Sequence, residues 1–357
     1  MRRIYLVRHG QPAFPDGVKL CLGVTDVPLG RMGRMQAALA GAELASAGLS
    51  AVFASPLSRA AQTAGYIAPD FRCLEGLREA YEGDWEGLSF SEIRARWPEL
   101  YRLRGEDPGL PPPGSESYES RRGRFSAALD AALEGSSGDI AAVAHSGVIK
   151  AFLGGVLGIP PREFMALPLP YGSVTALRED GGVFSVEYIG RAPHPPLSDG
   201  LCETLMECAG APAEVVSHCR AAADTADRLT AELSSAGLAL DGGLVRSAAL
   251  VHDIARTQPG HAAAGADWLD ALGYPAQAEI VRRHMDCPGE ALDEAAVVYM
   301  ADKLTAGRDR VTLRERFEKS EKKCLTPEAK AAHEARRLQA YCIAKKINDT
   351  CGKEIIV

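Results

Sequence analysis

The sequence predicts two domains of different class: an α/β N-terminal domain with a mostly parallel sheet flanked by helices, and an all-α domain after it. Short apolar runs at residues 4–7, 51–54 and 140–144 alternate with helical patterns such as RMGRMQAALAGAELASAG, as expected of βαβ units. Residues 191–200 place four Pro or Gly beside polar residues, the composition of a linker. Beyond them the chain is Ala-rich, with repeated helical periodicity and almost no strand signal. At 357 residues there is room for both, since single cores rarely grow much beyond roughly 250 residues. The expected layout is 1–192 for the α/β domain, 193–200 for the linker, 201–312 for the helical domain and 313–357 for a helical tail.

Composition narrows the class of function. Hydrophobic residues make up 46% and charged residues 24%, ordinary for a soluble globular chain. A formal net charge of -7 argues against a grip on nucleic acid polymers but leaves room for a small anionic ligand, which needs only a local cluster of Arg or Lys. Apolar runs of about 18 residues are absent and the first residues lack a signal-peptide core, so neither a membrane span nor secretion is expected, and the predicted location is the cytoplasm. Nine Cys without a C-x-x-C pair read as reduced structural thiols. No pattern speaks to the oligomeric state.

The elements of the first domain deliver polar residues to one edge. The opening MRRIYLVRHGQP is a short buried strand that ends on Arg8, His9 and Gly10, with Gln11 following. In an open α/β sheet that carboxyl edge is where ligands bind. VFASPLSRAAQTA repeats the pattern and puts Arg59 on the first turn of a helix, whose N-terminus favours anions. LEGLREAYEGDWEG leaves Glu79 in an irregular loop. FSEIRARWPELYRL reads as one helix, and GLPPPGSES as a loop whose Ser117 caps the next. On that next helix, Arg121, Arg122 and Arg124 read as a solvated face rather than as contacts for a polyanion. IAAVAHSGVIKAFL is a third buried strand, ending on His145.

Two His, two Arg and a Glu converging in this way suit phosphoryl transfer. A neutral imidazole at His9 is a nucleophile for phosphorus, Arg8, Arg59 and His145 would spread positive charge over the phosphoryl oxygens, and Glu79 would serve as acid and then base. This chemistry requires no metal.

Over residues 1–190 the sequence resembles the histidine phosphatase superfamily, also called phosphoglycerate-mutase-like, through LVRHG, GVTDVPLGRMGRMQA, ASPLSRAAQTA, LREAYEGDWEG and AHSGVIKAFL in the family's order. The resemblance implies that His9 is the nucleophile, Glu79 the acid, and Arg8, Arg59 and His145 the phosphate ligands. Gln11 keeps a family position on the substrate-binding loop, whereas Pro12 and Pro15 replace its usual hydroxyl and amide residues, so contacts beyond the phosphate must differ. The family's mutases shield their phosphohistidine with long insertions between the positions matching Glu79 and His145. That interval is short here, which favours hydrolysis over mutase action.

The second domain carries its own set. VVSHCRAAADTADRLTAEL brings His218, and LVRSAALVHDIAR reads as a helix whose apolar face is interrupted by His252 and Asp253, a costly pair unless a partner or cation matches it. His261, His284 and Asp302 follow, the last in ADKL. Together these resemble HD-domain metal-dependent phosphohydrolases over roughly 200–310. The resemblance implies metal ligands at His218, His252, Asp253 and Asp302, a second metal through His261 and His284, and Asp253 as the bridge. Arg256 stands for the family's Lys near the His-Asp pair. Such ligands suit iron, manganese or zinc. The closest likeness is to small HD hydrolases that split dinucleoside tetraphosphates. His333, in the tail, reads as solvent-facing.

The sequence therefore predicts a bifunctional phosphohydrolase acting on small phosphorylated metabolites or nucleotides. The alternative is a mutase-type enzyme or cofactor-precursor phosphatase with a non-catalytic, nucleotide-binding HD domain.

Overall fold

A computed structural model describes residues 1–286, 291–322 and 324–356. The chain divides into two compact units, 1–195 and 196–357.

The first unit is built on a six-stranded sheet of order β3-β2-β4-β1-β5-β6: β1 (Arg2–Arg8), β2 (Ala51–Ala54), β3 (Arg72–Cys73), β4 (Ile140–Ala144), β5 (Val174–Asp180) and β6 (Val183–Arg191). The strands from β3 to β1 are mutually parallel, and β5 and β6 add an antiparallel edge. Because side chains alternate along a strand, Ile4 and Leu6 join one core with Phe53, Ile140 and Ala142, while Tyr5 and Val7 join another with Val52, Ala141 and Val143. Helices α1 (Arg31–Leu44) and α2 (Ser58–Ile67) supply Ala40, Leu44, Ala60 and Ala64 to the second core. Burial on both faces is why the central strands are unbroken apolar runs. The edge hairpin turns at Gly181 and Gly182, with φ of 57° and 86°, a glycine pair at positive φ.

Between β3 and β4 lie α3 (Phe90–Arg96), α4 (Pro98–Glu106) and α5 (Tyr118–Glu134). The single helix expected over FSEIRARWPELYRL is two, broken at Trp97, because Pro98 lacks an N–H and restricts the residue before it. Ser117 caps α5, accepting from the Ser120 amide at 3.2 Å. The solvated arginine face is corrected as well. Arg121 is 1% exposed and pairs with Glu82 at 3.2 Å, and Arg124 holds Glu116 at 2.8 Å and the carbonyls of Gly76 and Arg78, so only Arg122 of the three is exposed. These two arginines fasten the loop that carries Glu79. After β4 come α6 (Ser146–Leu157) and α7 (Pro161–Phe164); α5 and α6 cover the first core through Phe125, Leu129, Phe152 and Leu153.

The second unit is helical: α8 (Asp199–Ala209), α9 (Ala213–Ser235), α10 (Gly242–Val251), α11 (His261–Ala271), α12 (Pro275–Arg283), α13 (Glu294–Lys303), α14 (Leu313–Glu321) and α15 (Pro327–Cys351). A two-stranded hairpin, β7 (Thr305–Ala306) with β8 (Asp309–Arg310), departs from the all-α expectation. The tail helix α15 buries Ala340, Ile343, Ala344 and Ile347 and packs on α9 and α13. His333 is half-buried rather than solvent-facing, its Nε2 2.8 Å from the Ser320 hydroxyl. The eight cysteines among the described residues are free thiols, and Cys287 lies outside the described residues. No helix of the described residues is long and apolar enough to cross a membrane.

Candidate functional sites

In the first unit the carboxyl ends of β1, β2 and β4 meet. The His9 amide donates to the Ala144 carbonyl at 3.0 Å, which sets the end of β1 beside that of β4. Gly10 then runs against α1: a Cβ there would lie 2.2 Å from the Gly33 carbonyl oxygen, so only glycine fits. Thr63 on α2 accepts the Gly10 amide at 3.1 Å and donates to the Arg59 carbonyl at 2.7 Å, tying the loop to α2.

The His9 ring is oriented by its neighbour. Its Nδ1 lies 2.7 Å from the Gly10 carbonyl, which only accepts, so Nδ1 carries the proton and Nε2 keeps its lone pair. Burial, then the nearby Arg59 and Arg8, hold the imidazole well below its ordinary range. His145 lies with its ring centroid 4.9 Å from that of His9 and is depressed by the same causes, burial first and His9 next. Its Nε2 is 2.8 Å from the Ser55 hydroxyl at the end of β2; when Ser55 donates, His145 Nδ1 is a donor.

Two guanidiniums flank the pair. Arg59 is 1% exposed, donating to the Thr25 and Gly23 carbonyls at 2.8 and 2.7 Å. Glu86 fastens that 23–25 loop by accepting from both its amides and the Thr25 hydroxyl. Arg8 donates to the Leu169 carbonyl and stacks on Tyr171, its Cζ 3.8 Å from the ring centroid. Arg8 Nε, Arg59 Nε and His145 Nδ1 are all buried without a hydrogen-bond partner. Two unsatisfied buried guanidinium donors beside an imidazole, joined by His145 Nδ1 when Ser55 donates to its ring, suit an anion, since leaving such donors unpaired costs about 1–3 kcal/mol each.

Glu79 sits at the N-terminus of α6. Its carboxylate accepts from Ala80, Gly147 and Val148 amides at 2.9, 2.8 and 3.1 Å. Gln11 lies in the loop after His9, its amide held by the Gln36 side chain at 2.9 Å. Pro12 bridges to Leu29, and Pro15 opens a tight turn in which Asp16 has φ 50°, so a proline-built turn stands where the family has its usual hydroxyl and amide residues.

In the second unit the ligand candidates come from four helix ends and one helix interior. His218 lies within α9, and His252 ends α10, with Asp253 in the turn that follows; the His-Asp pair is therefore at a helix terminus, not inside a helix as the sequence suggested. His261 starts α11, His284 ends α12, and Asp302 is in the last turn of α13. The donor atoms of His218, His252 and Asp253 lie within 4.8 Å of one another, as do those of Asp253, His261 and His284. Asp302 belongs to neither group; its Oδ1 is 3.1 Å from His218 Nε2 and 3.8 Å from His252 Nε2.

Three of the imidazoles share one orientation. Nδ1 of His218, His252 and His284 lies 3.2, 2.8 and 2.6 Å from the carbonyls of Gly307, Ala249 and Val281. In its neutral form each ring keeps its proton on Nδ1 and offers Nε2 on the carboxylates' side, the arrangement that outer-shell carbonyls impose on metal ligands. Nε2 of His252 and His284 and Oδ1 of Asp253 are buried with no hydrogen-bond partner. Burial pushes His252 down to about 4, while Asp253 stays ionised because its histidines outweigh the opposing effect of burial. Imidazole nitrogens gathered around carboxylate oxygens fit a divalent cation.

Sequence reasoning passed over Ser55, Thr63 and Tyr171 in the first site and Lys303 and Arg316 in the second. Ser55 and Thr63 are visible in retrospect within VFASPLSRAAQTA, and Lys303 beside Asp302 in ADKL; Tyr171 and Arg316 carry no local signal.

The family model of the histidine phosphatase superfamily (branch 1) matches residues 4–191, and that of the HD domain matches 215–307. The chain is 34% identical over 157 residues to the "Bifunctional protein Rv2228c" of Mycobacterium tuberculosis, covering 42% of this chain but 43% of that protein, so it spans less than half the length of this relative. It is 31% identical over 180 residues to a glucosyl-3-phosphoglycerate phosphatase of the same organism, covering 46% of this chain and 80% of the relative. Among solved structures, Bacillus stearothermophilus YhfR aligns with a TM-score of 0.49 at 28% identity, over 53% of this chain and 97% of that one. Residues 4–191 make the chain a member of the histidine phosphatase superfamily, and residues 215–307 give it an HD domain.

Proposed function

We propose that the chain is a bifunctional phosphohydrolase: the first unit hydrolyses phosphomonoesters through a phosphohistidine, and the second is a metal-dependent phosphohydrolase of a nucleotide-like substrate. The observation that carries the first half is the neutral His9 with Nε2 free and the unpaired buried Nε donors of Arg8 and Arg59 beside it. Nε2 attacks phosphorus as the ester P–O bond breaks, and protonated Glu79 gives its proton to the leaving oxygen. Water then attacks the phosphohistidine, Glu79 takes its proton, and the P–N bond breaks to release phosphate. Arg8, Arg59 and His145 hold the phosphoryl oxygens throughout, and Gln11 contacts the substrate beyond them. The phosphatase relative, which covers most of its own length, supports hydrolysis of a small phosphomonoester. So does the interval between Glu79 and His145, taken up by α3, α4 and α5.

In the second unit, His218, His252, Asp253, His261, His284 and Asp302 would hold two ions of iron, manganese or zinc. Such ions supply a water nucleophile and a clamp for phosphate. The residues' own part is to keep the imidazoles aimed, through the carbonyls at their Nδ1 atoms, and Arg256, Nη1 3.1 Å from His261 Nε2, adds positive charge at the rim.

A panel of phosphorylated metabolites and nucleotides, assayed on the full chain and on His9→Ala and Asp253→Ala variants with and without metals, tests both halves. Loss of metal-independent hydrolysis only in His9→Ala, and of chelator-sensitive hydrolysis only in Asp253→Ala, is expected. A second unit that binds metal and nucleotide but turns over nothing would favour a regulatory HD domain.

A further inference from the structure

The HD match ends at residue 307, but the pocket at its centre does not. A cavity of about 330 Å³ is lined by His218, Asp253, His284, Asp302, Arg256 and Arg316 among others, and Arg316 comes from α14 in the following segment. That helix is firmly placed. Thr312 and Glu315 form a reciprocal cap at its start, and Leu313 and Phe317 are buried.

Arg316 Nη1 donates to the Thr305 carbonyl at 3.3 Å, and Nη2 stands 3.6 Å from Asp302 Oδ1. Neutralising Asp302 is the simplest role to consider, but that carboxylate already has a cation: Lys303 Nζ donates to Oδ2 at 2.7 Å. The approach of Arg316 is longer than a hydrogen bond. Of the other pocket cations, Lys303 is committed to Asp302 and the His284 carbonyl, and Arg256, on the far side beside Asp253, reaches only His261 within hydrogen-bond distance. Arg316 uses one of five guanidinium donors on Thr305 and keeps a side chain 31% exposed to the cavity mouth. A planar fork with spare donors beside a metal-ligand cluster matches the oxygens of a phosphate.

We propose that Arg316 binds an oxyanion of the ligand in this pocket, a phosphate or phosphoanhydride group, so that the segment after the HD match completes the site. The inference rests on the reading of the second unit as a metal-dependent phosphohydrolase. The test is calorimetric titration of inorganic phosphate into the full chain loaded with Mn²⁺ and, in parallel, stripped by chelator; the binding that requires metal is the readout. Arg316→Ala should weaken that component by at least about tenfold while the bound metal count stays at the parent value, and Arg316→Lys should restore only part of it. Unchanged phosphate binding in Arg316→Ala overturns the proposal. Loss of metal in that variant also overturns it, because Arg316 would then act through Asp302. If the parent protein takes up metal but shows no metal-dependent phosphate binding, the phosphohydrolase reading itself fails, a result distinct from either.

Discussion

The two units solve opposite electrostatic problems. Around His9 the buried atoms left without partners are the guanidinium donors Arg8 Nε and Arg59 Nε, with the ring nitrogen His145 Nδ1; around Asp253 they are its carboxylate Oδ1 and the ring nitrogens His252 Nε2 and His284 Nε2. One site lacks negative charge and the other lacks positive charge. Burial makes both deficits expensive and also disfavours charge on the central imidazoles, since His9 and His145 are depressed well below their ordinary value and His252 is pushed down to about 4. The same ring is thus prepared for attack on phosphorus in one unit and for metal ligation in the other. What differs is the company: arginines in the first, carboxylates in the second.

The strongest way to break this comparison is to remove the central group of each site. His9→Ala should abolish the acid-labile phosphoenzyme and lower metal-independent hydrolysis by at least about a thousandfold, the scale on which a lost nucleophile acts, with chelator-sensitive hydrolysis intact. Asp253→Ala should do the reverse and bring the bound metal count to zero, because Asp253 belongs to both ligand groups. A phosphoenzyme surviving in His9→Ala, or metal retained in full by Asp253→Ala, would void the corresponding half.

A smaller effect should follow from Gly147→Ala. The added Cβ would lie 2.7 Å from Glu79 Oε1, and the carboxylate has little freedom to retreat because three backbone amides hold it. Displacing the acid slows poor leaving groups more than good ones, since only the former need a proton, by up to about a hundredfold. Glu79→Gln should show the same slope across a series of aryl phosphates. A uniform loss across the series would remove Glu79 from the acid role.

Protonation sharpens the contrast further. His9 and His145 have folded-state values below the unfolded value of 6.5, so between those limits the unfolded chain binds more protons. Their contribution to stability is complete above about pH 6.5 and is lost as the pH falls toward the folded values. Imidazole resonances assigned to His9 should not titrate between about pH 7.5 and about pH 6, and the first unit should melt at progressively lower temperature below that range. A His9 titration centred near 6.5 would contradict the buried, neutral nucleophile.

How much of this was written in the sequence depended on whether the signal was local. Strands β1, β2 and β4 announced themselves as apolar runs, and each ended on a residue that reached the first site: His9, Ser55 and His145. The hairpin of β5 and β6 was passed over because β6 is a half-exposed edge strand, although its two turn glycines were in plain view. The break at Pro98 was equally readable and was overlooked in favour of periodicity. Arg121 and Arg124 show the limit: a charge on a helix reads as solvated until the two loops bearing Glu82 and Glu116 fold over it. Arg316 belongs to the same kind, since only tertiary packing of α14 brings it to Asp302.

The least disruptive change separates the two metal positions. His261 is half-buried at the first residue of α11, reaches Asp253 Oδ1 at 3.3 Å, and belongs to one ligand group, whereas Asp253 belongs to both. Removing the imidazole leaves His218, His252 and Asp253 untouched, and leaves Asp253 and His284 to hold the other ion with one protein ligand fewer. His261→Ala should therefore bind the first metal as the parent does and the second at least about tenfold more weakly, the scale of a single lost contact in a metal site. Metal content measured against free metal concentration should show two steps in the variant where the parent fills together. Parallel weakening of both ions would mean that His261 serves a single shared centre, and a parent protein that saturates at one ion would reduce the second group to a hydrogen-bonded support for Asp253.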